Sequence, residues 1–86
     1  MRKTAPIGSP TAIRSTRELG NLVRRARRAE GLDQEGAAGF AGVGVRFFGD
    51  VERGKLTVRL GLVLQVLHRL GLEVWIAPRG WRPGPS

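Results

Sequence analysis

The chain has 86 residues, with 15 lysines and arginines against 7 aspartates and glutamates, a net charge of +8, no cysteine and one histidine, His68. That length allows one small domain. The inventory excludes a disulfide framework, a thiolate metal site and a cysteine nucleophile, and it leaves histidine-based catalysis unsupported because Ser9, Ser15 and Ser86 all sit near the chain ends. No enzyme activity, metal or cofactor is therefore expected, and the lack of cysteine fits a reducing cytoplasm. The cationic excess, nearly all arginine, predicts an acidic partner: nucleic acid, an anionic membrane surface or an acidic protein.

Residues 1–14 hold Pro6, Gly8 and Pro10 and show no periodicity, so they are expected to form a flexible arm. The basic start lacks a long apolar core, and no signal peptide is expected. Ser15 and Glu18 then have the spacing of a capping box. Leu19, Leu22, Val23 and Ala26 recur at helical spacing, and Gly31 offers a left-handed stop. Arg24, Arg25, Arg27 and Arg28 lie mostly off that stripe, where a charge run is most simply a solvated face. Gly20 weakens the helix by about 1 kcal/mol relative to alanine.

Asp33 can cap a second helix over Gln34–Ala41, closed by Gly42. Gly44 can open a third over Val45–Arg53, closed by Gly54. The corner Gly42-Val43-Gly44 is so short that the two helices must cross steeply, as in a helix-turn-helix. Thr57 can cap a fourth helix over Val58–Leu70, ended by Gly71, whose apolar residues nearly encircle it. Such a helix needs cover on all sides, more than so small a chain supplies, so a partner surface is expected. Its longest apolar run, Leu60 to Leu67, is interrupted by Gly61 and Gln65 and is too short to span a membrane.

The stretch Leu72–Pro78, "LEVWIAP", has strand composition and stops at Pro78. A lone strand in a helical chain has an open edge that invites a second copy across a two-fold axis. Leu62, Val66, Val74, Trp75 and Ile76 are the residues expected at that dimer interface. Residues 79–86 read as a second arm, in which Trp81 gains nothing unless it docks on another protein. The domain between the arms is then 15–78.

One stretch invites an enzymatic reading. Gly49–Leu56, "GDVERGKL", matches a phosphate-binding loop until its last position, where Leu56 replaces the magnesium-binding Ser or Thr. A helix is predicted before it where that loop needs a strand, so the nucleotide reading fails. The alternative accounts for more residues. Val43, Phe48 and Val51 face a core, with Phe47 in its second layer, while Val45, Arg46 and Gly49 face outward together, a small surface beside one arginine that suits the DNA major groove. Arg53 and Lys55 would reach phosphates, and Glu52 would pair internally with an arginine.

The segment "GLDQEGAAGFAGVGVRFFGDVERGK" resembles the Xre/Cro-type helix-turn-helix of phage repressors and antitoxins at Leu32, Gln34, Ala38, Gly42, Val43, Phe48, Glu52, Gly54 and Lys55. Arg46-Phe47 and the following "VRLGLVLQVLHRLGLEVWI" are especially similar to HipB-type antitoxins. The resemblance covers about Glu18 to Ala77. It implies a mostly α, lambda-repressor-like bundle of four to five short helices plus a C-terminal strand pairing across a dimer. It also implies a repressor that binds a palindromic operator in double-stranded DNA, autoregulates its operon and neutralises a HipA-type kinase toxin. On this resemblance Gln34 touches a phosphate or base edge, Gly44, Val45, Arg46 and Gly49 face the groove, and Arg53 and Lys55 contact the backbone. Trp81, read from its place in the Pro/Gly-rich tail, would meet the toxin or a second subunit. Gly36, Gly39 and Gly49 replace better helix formers, and readout rests heavily on Arg46 because Gly44 and Gly49 offer no side chain. A stand-alone phage-type repressor, or a module that grips an acidic protein without specific DNA binding, are the alternatives.

Overall fold

A computed structural model describes residues 10–81. Its first helix, α1 (Thr16–Ala29), starts where Ser15 caps it, with Oγ accepting the Glu18 N–H at 3.1 Å. The return half of the box is displaced by one residue: the Glu18 carboxylate accepts from the backbone N–H of Arg14, not of Ser15, at 2.6 Å. The helix ends at Gly31, whose φ of +73° lets the Leu32 N–H turn back onto the Arg27 carbonyl. Helix α2 (Gln34–Ala41) is capped by the Asp33 carboxylate on the Gly36 N–H at 2.7 Å, and Gly42 closes it in the left-handed region.

Helix α3 (Val45–Glu52) follows Gly44 and stops one residue short of expectation, with Arg53 as its C-cap. Helix α4 (Leu60–Arg69) differs more. It starts two residues later than the Thr57 cap implied, after Arg59 and with no side-chain cap. Val58 instead packs onto the core ahead of the first helical turn.

Helix α3 packs against both α1 and α2, and α4 packs against α2. Phe48 sits fully buried among Val23, Ala26, Ala37, Ala38, Ala41, Val51, Val63, Val66, Leu67 and Leu70. Phe47 joins the half-buried layer around them, as expected. The alanines keep the α2 surface low, so one large ring can fill the centre. Where α1 crosses the end of α3, no side chain separates the backbones. A Cβ on Gly20 would lie 2.6 Å from the Val51 carbonyl oxygen and closer still to that of Glu52. Gly20 is thus required by a close approach, beyond its modest propensity cost. The Thr16 hydroxyl, donating to the Gly54 carbonyl at 2.7 Å, ties the start of α1 to the loop that follows α3.

One expectation about the C-terminal part is corrected. Val66 is 0% exposed and belongs to the chain's own core, so it offers no surface to a second copy, whereas Leu62 is half-buried. Helix α4 turns Val63, Val66 and Leu67 inward and leaves Leu60 and Leu64 exposed, so one copy covers only part of its apolar surface. Residues 72–78 carry no regular secondary structure, and no strand occurs among the described residues. A strand needs a ladder partner, and a single copy provides none. Val74, Trp75 and Ile76 are all exposed in this segment, and Ile76 reaches 96%. Pro10, Trp75, Ile76, Ala77, Pro78 and Trp81 line an apolar hollow of about 330 Å³. Most of the two expected arms lies outside the described residues. Among those described, no helix is long and apolar enough to cross a membrane.

Candidate nucleic-acid interface

The corner between α2 and α3 is held from below by α4. The Gln65 side-chain amide donates to the Ala41 carbonyl at 2.7 Å and to the Gly42 carbonyl at 3.4 Å. Arg69 donates to the Phe40 carbonyl at 3.4 Å. These bonds satisfy carbonyls that the end of α2 would otherwise leave open. They also attach the corner to α4, fixing the direction in which α3 leaves it.

The first turn of α3 projects from this frame. Gly44 is exposed with open space where a Cβ would be. Val45 is 47% exposed, and Arg46 is exposed with no hydrogen-bond or ion-pair partner among the described residues. The next two side chains turn the other way, Phe47 half-buried and Phe48 at the centre of the core. Helical geometry thus separates a bare, cationic face from an anchoring one within four residues.

Gly49 departs from expectation. It is buried, because the Arg53 guanidinium lies across it, with Nη1 3.1 Å from where a Cβ would be and the Gln34 Oε1 at 3.6 Å. The missing side chain therefore makes a seat for Arg53, not a bare outward surface. Arg53 is in turn ion-paired with Asp50 one turn back, and the Lys55 Nζ lies 3.5 Å from the other Asp50 carboxylate oxygen. The two expected phosphate-contacting cations share one acid.

Behind this face sits Glu52, whose side chain is wholly buried. Its Oε2 accepts from Arg27 Nε at 2.6 Å, and its Oε1 accepts from Arg27 Nη2 at 3.1 Å and from Gln34 Nε2 at 2.9 Å. Arg24 stands 3.5 Å away. Burial alone would raise the Glu52 pKa. The hydrogen bonds from Arg27 and Gln34, with the charges of Arg27 and Arg24, outweigh it and hold the carboxyl below its ordinary range. The Glu52 hydrogen bond likewise raises the Arg27 pKa. Arg27 also donates to the Leu32 carbonyl at 2.9 Å, so one guanidinium joins α1, the α1–α2 loop and α3. Gln34, expected to face a phosphate or base, is half-buried and uses its amide to tie the start of α2 to the end of α3.

The family model of the helix-turn-helix domain matches residues 18–74. The chain belongs to that helix-turn-helix family. The HTH-type transcriptional regulator y4mF of Sinorhizobium fredii is 46% identical over 70 residues, covering 81% of this chain and 92% of its own. Among solved structures, the restriction-modification controller protein C.AhdI from Aeromonas hydrophila is 34% identical, with a TM-score of 0.60 over 67% of this chain and 84% of its own. A HipB–O2 20mer complex aligns with a TM-score of 0.73 at 21% identity, over 83% of this chain and 99% of that one. A HipA–HipB–O2–O3 complex gives 0.72 at 20% identity, over 80% and 97%. At such identities the HipB likeness is one of fold. The chain is a helix-turn-helix transcriptional regulator with a HipB-like structure.

Some residues of this helix-turn-helix unit were not singled out by the sequence. Asp50 stands three residues before Arg53, a spacing at which helical side chains meet, yet nothing in the pattern showed that Lys55 would join it. Gln65 looked like a polar interruption in an apolar run, and only the fold brings it to the α2 terminus. Among the described residues no group of three or more histidines and acids could hold a metal ion.

Proposed function

We propose that this helix-turn-helix protein is a dimeric, sequence-specific repressor that autoregulates its own operon in the cytoplasm. In this reading it is also the antitoxin of a two-gene module whose partner is a HipA-type kinase toxin. The observation that carries the DNA-binding reading is the first turn of α3, where Gly44, Val45 and Arg46, which has no partner among the described residues, project together from a corner braced by α4. A bare backbone with one free guanidinium can enter a major groove and bond the O6 and N7 of a guanine in bidentate fashion. Arg53 and Lys55 would contact phosphates and set the register. Gln34 would act chiefly through Glu52, and Gly49 by seating Arg53.

Dimerisation is supported by the apolar surface that one copy leaves open: Leu60, Leu64, Val74, Trp75 and Ile76 are all exposed. Exposed apolar area of this kind marks an interaction surface. Segment 72–78 of one copy would pair with the same segment of a second, with Leu62 nearby. Two copies of α3 would then enter successive major grooves about 34 Å apart. The antitoxin role is supported by the HipB-like fold, and Trp81, exposed at the edge of the apolar hollow, is the residue assigned to the toxin.

The test is binding to a duplex from upstream of its own gene, followed by fluorescence anisotropy against a scrambled duplex. Arg46→Ala should weaken specific binding roughly 5- to 150-fold per half-site, the worth of one bidentate base contact, and blur discrimination at one base pair in each. Equal wild-type affinity for both duplexes would overturn the reading. Co-purification with the product of an adjacent kinase-like gene tests the antitoxin half separately, and its failure would leave a stand-alone repressor.

A further inference from the structure

Asp50 is an acidic side chain on the face assigned to DNA in a chain of net charge +8. Its carboxylate is four-fifths covered, and both its oxygens are engaged, one by the Arg53 guanidinium and the other by Lys55 Nζ at 3.5 Å. Arg53 is also drawn back over Gly49, so its charged end lies along α3 and does not extend freely from the helix terminus. Two oxygens on one carbon, shared between a guanidinium and an ammonium, are the arrangement a backbone phosphate would present to the same pair.

We infer that Asp50 is an affinity-setting residue that holds the place of a phosphate. It occupies the cations, Arg53 and Lys55, that would otherwise grip any duplex. The inference rests on the DNA-binding reading above and deepens it. A DNA phosphate must displace the carboxylate from its two partners or accept a negative neighbour at close range, and both lower affinity. That penalty is independent of sequence, because phosphate contacts carry no base information. The contacts of Arg46 are not taxed in this way, since Arg46 has no internal partner among the described residues. Asp50 thereby lowers the affinity for every duplex by the same factor and leaves the ratio of specific to non-specific affinity, which rests on Arg46, where it is.

The experiment compares the full chain with Asp50→Asn, and with Glu73→Gln as a control that removes one negative charge from an exposed position outside α3; because Glu73 lies in segment 72–78, all three proteins are titrated at a concentration where sedimentation shows each to be dimeric. Each protein is titrated with its upstream duplex and with a scrambled duplex of equal length at several salt concentrations. Each exposed ion pair shifts an equilibrium by about 1.5- to 5-fold. Asp50→Asn should therefore bind both duplexes about 3- to 10-fold more tightly, steepen the log–log salt slope by about one per protomer, and leave the ratio of specific to non-specific affinity unchanged. Glu73→Gln should change these values by less than half as much. Heparin-column elution of the same three proteins gives a readout without DNA sequence, and Asp50→Asn should elute at the highest salt. Unchanged or weaker scrambled-duplex binding by Asp50→Asn, or an equal gain in Glu73→Gln, overturns the inference while leaving the DNA reading intact. If the wild type binds neither duplex at low salt, both fail together. Circular dichroism verifies that Asp50→Asn keeps the wild-type fold, and Asp50→Ser, expected to behave alike, decides the matter if it does not.

Discussion

Arg27 and Glu52 are joined by two hydrogen bonds, at 2.6 and 3.1 Å, across the contact between α1 and α3. The acid is wholly buried and the base nearly so. Removing one partner of such a pair leaves an uncompensated charge in the interior, which costs far more than the pair itself contributes. Arg27→Met should therefore lower stability by about 3 kcal/mol, at the low end of the usual range because Arg24 and Gln34 still reach the carboxylate. Replacing both, as Arg27→Met with Glu52→Leu, should recover most of that loss. Urea unfolding of the three proteins measures it, and a loss under 1 kcal/mol in Arg27→Met would show that the pair does not brace the fold.

The same carboxylate gives the protein an acid limb. Its folded pKa lies below the ordinary range, so the unfolded chain takes up the proton first as pH falls. The stabilisation is fully present above the unfolded value of about 4.3 and is lost as pH falls through the lower folded value. Arg27 is shifted upward from an already high pKa and contributes nothing to this limb. Glu52→Gln should be less stable than wild type at neutral pH, and the two melting temperatures should converge on acidification. Parallel curves from pH 7 down to about pH 2.5 would assign the acid sensitivity to other groups.

Two glycines of equal standing in the sequence should respond in opposite ways to alanine. Gly39 has open space around its Cβ position in the middle of α2, so Gly39→Ala should stabilise by about 1 kcal/mol through helix propensity alone. Gly20 lies against the carbonyls at the end of α3, and Gly20→Ala should instead destabilise by roughly 1–3 kcal/mol as the helices are forced apart. Thermal unfolding of the two variants decides the point; a stabilised Gly20→Ala would contradict the close approach.

That contrast shows where sequence reasoning stops. Local signals are written in local residues: Ser15 and Asp33 as caps, Gly31 and Gly42 as stops, and the bounds of α2 follow from them without error. The internal pairing of Glu52 was also legible, because an acid inside an apolar stripe must find a cation. Which arginine it finds is a matter of tertiary distance, and a run of four arginines does not say that the third turns inward. The same holds for Gly49: a glycine on the outer face of a helix reads as bare surface until Arg53 is seen to fold back over it. The late start of α4 has a similar origin, since a threonine before an apolar run is a good cap only if the chain is already turning into the helix there. Here Val58 is drawn onto the core before the first turn forms.

Ile76 and Val66 separate the interface from the core. Ile76 is 96% exposed, so Ile76→Asp should leave the helical fold intact. If segment 72–78 pairs across a two-fold axis, the same change puts a charge on each side of the axis and should weaken self-association at least about tenfold. Val66 is fully buried within one copy, and Val66→Ala should lower stability by about 2 kcal/mol through lost burial and a cavity. It should not alter the association constant of the chains that remain folded. Sedimentation equilibrium at several concentrations, with a melt of each variant, reads both quantities. Dimerisation of Ile76→Asp at wild-type strength would move the interface to another exposed apolar row, Leu60 and Leu64 on α4, where Leu64→Asp should then have the effect predicted here for Ile76→Asp.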